Sequence, residues 1–155
     1  MYMGLSLEFI AGPEHAVQEA IAGNWYDWLL DRDDDLLRAD FSLHLIPTDL
    51  DRLSECFGEV TGRNSTFLRP HLKVVVDTED GGILSVAPDW VKYVSVCDLE
   101  SVDVITNLWC QKMEKDHEGE NLTPTEEMRA AVSALIALTV AAVRLDLAVV
   151  HGWHC

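Results

Sequence analysis

The sequence predicts an α+β protein, a small and mainly antiparallel sheet covered by helices, and three observations carry that reading. The segment from Thr123 to about Val150 holds an uncharged run from Ala130 to Val143, too long for a strand. Two period-two stretches and one glycine-containing hairpin supply strands. Amphipathic repeats with start and stop residues supply helices between them. Two lone strands separated by helices could also pair in parallel, which keeps an α/β arrangement as the alternative.

Taken in order, Leu5, Leu7 and Phe9 alternate with Ser6, Glu8 and Ile10 as a first strand. Pro13-Glu14 opens a helix whose inner face is Val17, Ala20 and Ile21, and Gly23-Asn24 ends it. Trp25, Trp28 and Leu29 have helical spacing and mark a short second helix, followed by the acidic turn Asp31 to Asp35. That turn has the alternating aspartates of a calcium loop but lacks its glycine, and Ser42 stands where the closing Glu belongs, so it reads as a solvated loop. Phe41, Leu43 and Leu45 alternate with Ser42 and His44 as a second strand.

Thr48 caps a helix whose stripe is Leu50, Leu53, Phe57 and Val60 and whose stop is Gly62. Leu72 to Val76 and Ile83 to Val86 flank a turn at Thr78 to Gly82, whose glycines suit positive φ. Pro88 as a first helical residue favours helix over strand for 90–97. Asp98 caps a helix with Val102, Ile105, Trp109 and Met113 as its stripe and His117-Glu118-Gly119 as its stop. Thr123, Pro124 and Glu126 form the start signal of the last helix. Its uncharged run is too short to span a bilayer and is closed by Arg144 and Asp146, so it reads as a core helix. The pentapeptide His151 to Cys155 reads as an idle tail with Trp153 packed down.

The chain has 155 residues and 48% hydrophobic composition, which suits one domain over 1–155 with a core that needs no disulfide or metal. The four cysteines are widely spaced and the amino terminus resembles no signal peptide, so the expected address is the cytoplasm with reduced thiols. Eleven Lys and Arg stand against 27 Asp and Glu, a net charge of −16 that disfavours nucleic acid and anionic membrane as partners.

There is no G-x-S-x-G, no phosphate loop and no dinucleotide turn, so no residue is assigned a catalytic role. His151, His154 and Cys155 would share one side of a continuing helix and would suit zinc, although the favoured expectation is no cofactor. Arg63, Arg69, His71 and Lys73 lie in the one locally basic stretch, the acid-free Thr61 to Val76, and could hold an anion or carboxylate; the alternative is pairing with the chain's own acids. Asp33, Asp34 and Asp35 are the expected partner-binding run. The leading expectation is a non-enzymatic, immunity- or inhibitor-like interaction module for a protein partner with a basic face, with self-association left open. The alternative is a small-molecule binder or enzyme using the basic loop, with or without a metal at the terminal cluster.

Overall fold

The computed structural model describes residues 6–22, 36–43, 45, 47–63, 68–70, 73–79, 81–118 and 120–154. Its order is β1 (Ser6–Gly12), α1 (Glu14–Ala22), β2 (Leu37–Asp40), α2 (Pro47–Val60), β3 (Lys73–Asp77), β4 (Gly81–Ser85), α3 (Pro88–Ser95), a 3-10 turn (Leu99–Ser101), α4 (Val102–Asp116), α5 (Glu126–Leu145) and β5 (Ala148–His154). The strands form one sheet in the order β2-β1-β5-β4-β3, antiparallel at every junction. This is the α+β arrangement expected, with the long apolar helix against it. The expected helix at 25–30 and the Asp31–Asp35 turn lie outside the described residues.

Alternation along β1 divides the sheet into two faces. Phe9 and Ala11 enter the main core with residues of α2 to α5, whereas Ile10 joins Val17 of α1, Leu36, Ile83 and Val150 in a smaller cluster. Helices therefore cover both faces unequally. The main core is centred on Phe9, whose ring meets Phe41 edge-on at 5.2 Å and stacks on Trp90 at 5.7 Å. Such pairs contribute about 0.5–1.5 kcal/mol each beyond the area they bury.

α2 begins at Pro47, so Thr48 is inside the helix and is not its cap. Its end follows the glycine signal: Gly62 has φ +74°, its N–H donates to Glu59 O, and Arg63 N–H donates to Gly58 O at 2.7 Å, the paired bonds of a left-handed cap. α3 is helical as Pro88 suggested. Asp98 accepts from Glu100 N–H and caps the 3-10 turn that leads into α4.

Four further expectations need correction. The second strand is Leu37–Asp40, upstream of Phe41, Leu43 and Leu45, because Asp40 Oδ1 accepts from Ser42 N–H and turns the chain there. Ala39 and Phe41 nevertheless share the core face. The glycines Gly81 and Gly82 belong to β4 and not to the turn, and neither has positive φ. Gly82 is needed for close approach: a Cβ there would lie 2.5 Å from both Trp153 Nε1 and Val76 O. The last helix is capped by Thr125, which accepts from Met128 N–H at 3.1 Å, while Thr123 and Pro124 precede the cap. Finally, the supposed tail is β5, the central strand, paired with β1 from Ser6↔His154 to Gly12↔Ala148 and with β4 on its other side.

α5 buries Val132, Leu135, Ile136, Leu138, Thr139 and Ala142 and packs on α3, α4, β1 and β2. It is apolar and long enough by length and composition to match a membrane span, with a mean hydropathy of 1.7. Its inner face is nevertheless spent on this core. The opposite face is open to solvent, and the helix is thus less enclosed than its uncharged run suggested.

Candidate functional site

The expected site residues that are described fall in several structural settings. Arg63 follows the α2 cap and is drawn inward: Nη2 donates to Tyr93 O at 2.6 Å, Nε donates to Thr61 Oγ1 at 2.7 Å, and the guanidinium lies 4.0 Å from the Tyr93 ring centre. Tyr93 in turn donates its hydroxyl to Ser54 O. Arg63 thereby fastens the end of α2 to α3, a stacked and forked arrangement that lysine could not supply. Arg69 is exposed on the following loop and Lys73 is exposed at the start of edge strand β3. His71, like Asp33, Asp34 and Asp35, lies outside the described residues. The island is thus not gathered around a cavity among the described residues.

The terminal cluster does not have the helical adjacency on which its metal reading rested. His151 and His154 belong to β5, where a three-residue spacing does not place side chains on one face, and Cys155 lies outside the described residues. No group of three His, Cys, Asp or Glu side chains suited to a metal occurs among the described residues. His151 is buried against the Phe9 ring at 4.6 Å, and neither ring nitrogen has a hydrogen-bond partner among the described residues. Burial lowers its pKa to about 4, so the ring is neutral at ordinary pH.

Sequence reasoning missed the most developed polar contact. His117, the cap residue ending α4, places Nε2 3.0 Å from Oδ1 of Asp49 in the first turn of α2. Asp49 is buried, and its carbonyl accepts from Trp109 Nε1 at 2.8 Å. The carboxylate raises the His117 pKa, favouring an imidazolium ion at this junction. Beside it, Arg52 bonds Asp116 and Glu55, which keeps the guanidinium charged and holds the Asp116 carboxyl below its ordinary range. A carboxylate-held imidazole is half of a general-base arrangement, but the His117 ring has no second hydrogen-bond partner among the described residues. Nor do the described thiols offer a nucleophile: burial pushes Cys56 up to about 12 and Cys97 to about 11, and it raises Cys110. The chemistry of this corner is that of an ionic clasp between α2 and α4. The spacing of Asp49 and His117 along the chain carries no local signal of it.

Two surface features remain. One is the set of surface charges, in which several cations pair with the chain's own acids: Arg38 bonds Glu8, Arg52 bonds Glu55 and Asp116, Lys112 bonds Glu59, and Arg129 bonds Asp103. Asp77 and Glu79 at the β3–β4 tip, and Glu118 and Glu120 after α4, are exposed. The other is an apolar groove of about 370 Å³ between Cys97, Asp98 and Leu99 on one side and the outer face of α5 on the other. Leu99 is 52% exposed, Val96 64% and Val140 41%. No family model matches this chain, and no curated protein or solved structure is detectably similar to it.

Proposed function

We propose that this protein is a non-enzymatic interaction module that binds a protein partner through its acidic exterior, the partner presenting a basic face. The supporting observation is the surplus of acids: 27 against 11 bases, of which Arg38, Arg52, Arg63, Lys112 and Arg129 already bond the chain's own carboxylates and carbonyls, while Asp77, Glu79, Glu118 and Glu120 are exposed. Such a surface acts mainly on the rate and orientation of encounter. Among the described residues, the inert thiols and a His117 ring bonded to Asp49 alone fit a binding role better than a catalytic one.

The test is to capture partners from the native cell lysate with the full chain, then measure association kinetics with the purified partner. The expected partner is basic at the contact, and association slows at least tenfold as salt rises from about 0.05 to 0.5 M, since screening shortens the range of these fields. Combined Glu118→Gln, Glu120→Gln, Asp33→Asn, Asp34→Asn and Asp35→Asn substitutions reproduce part of that slowing. An acidic partner, or rates indifferent to both salt and substitution, sinks the reading.

A further inference from the structure

The outer face of α5 is unused by the fold and by the acidic reading of the surface. Ala130, Ala137, Val140 and Arg144 are exposed along it, Leu99 lines the facing wall of the groove, and Val96, next to Cys97 of that wall, is exposed as well. Contiguous apolar surface of this kind marks a contact with another molecule. Its two ends say which. Glu126 in the first turn and Arg144 in the last are both exposed, and neither has an ion pair among the described residues. They stand about five helical turns apart, some 27 Å along the axis, and therefore lie on the same line of the helix. An acid at one end and a base at the other, with small and apolar residues between, is self-complementary only when reversed.

We propose that this face binds a second copy of the chain, with the two α5 helices packed antiparallel about a twofold axis. Centring the axis beside Ser133 to Ala137 sets Glu126 of each copy against Arg144 of the other, Ala130 against Val140, and Ser133 against Ala137. The small side chains allow the helices to approach at the short end of the usual 8–10 Å spacing. The groove flanking the Ala137 to Arg144 half of one helix then receives the first two turns of the other, and the reverse contact follows by symmetry. Asp98, on the far wall, already has its carboxylate accepting from Glu100 N–H. A parallel pair would bring Glu126 against Glu126 and Arg144 against Arg144, so charge selects the antiparallel orientation. This surface is separate from the Asp77–Glu79 and Glu118–Glu120 acids, so its success or failure is independent of the basic-partner proposal.

Sedimentation velocity of the full chain between about 1 and 200 µM in 0.15 M salt tests it. The expected species at high concentration has twice the 17.3 kDa chain mass. Arg144→Glu and Glu126→Arg should each weaken the dimer at least tenfold, and combining them should restore it. Ala137→Glu, at the centre, should give a monomer with an unchanged circular dichroism spectrum and melting profile. A chain that stays monomeric throughout the range overturns the proposal. So does a dimer indifferent to these substitutions, or one that the double charge exchange fails to restore.

Discussion

At the scale of single residues, two histidines act on stability with opposite signs. His151 is neutral when folded and has its pKa lowered by burial to about 4, against an ordinary value near 6.5. Between those values the unfolded chain holds a proton that the folded chain refuses, so stability falls as pH drops from about 6.5 to 4 and this contribution then levels off. The shift corresponds to a loss on the order of 3 kcal/mol. His117 runs the other way: its pKa is raised by Asp49, so its contribution is fully present below the unfolded pKa and is lost as pH rises through the folded one. Urea unfolding of the wild type and of His151→Leu at pH 4.5 and pH 7 separates them. The variant should lose much less stability on acidification, and at pH 7 it should be more stable by about 1 kcal/mol because two partnerless nitrogens are no longer buried. Equal acid sensitivity in both proteins would show that His151 is not protonated on unfolding. Neither behaviour was legible in the sequence. His151 stood next to Gly152 near the chain end, where fraying was the natural expectation, and His117 served as a helix stop without any sign of its partner 68 positions away.

At the scale of elements, legibility followed the kind of signal each element carries. α2, α4 and α5 were visible because one apolar stripe at helical spacing faces one core, and α3 because proline suits a first helical residue. β1 was read as alternating, although Phe9, Ile10 and Ala11 are all buried. β5 was missed for the related reason that Val149, Val150, His151 and Gly152 are buried in succession, so no period of two appears. It also follows α5 after only Asp146, which takes the left-handed conformation at φ 55°, and Leu147. Two consequences can be measured by chemical unfolding. Leu135, fully buried in α5, should cost on the order of 2–5 kcal/mol when changed to Ala, through the cavity left behind. Deleting 151–155 should prevent cooperative folding altogether, because it removes four of the seven residues of the strand on which β1 and β4 both pair. A truncated chain that unfolds cooperatively near the wild-type midpoint would deny β5 its central place.

At the scale of the whole molecule, the fold closes through its ends: β1 and β5 are neighbours at the middle of the sheet, so the first and last described elements complete each other. The antiparallel order places sequence-distant strands side by side, and no local pattern encodes which pair. Charge is the global property that the sequence did expose, and the described residues show which of the cations are paired. The ion pairs at Arg38, Arg52, Lys112 and Arg129 are partly exposed, each of a type that contributes little on its own, about 0–1 kcal/mol. Salt weakens those attractions and also weakens the repulsion among the surplus acids. With 27 acids against 11 bases, repulsion is the larger sum. Raising sodium chloride from about 0.01 to 0.3 M shortens the Debye length from about 30 Å to below 10 Å, which removes long-range repulsion first and leaves contacts near 3 Å less affected. The midpoint of thermal unfolding, followed for the Ala137→Glu chain to exclude any effect of self-association, should therefore rise by several degrees over that interval, the change expected for about 1 kcal/mol in a domain of this size. A midpoint that falls instead would mean that the ion pairs outweigh the surplus, and that the exterior is less acidic in effect than its composition.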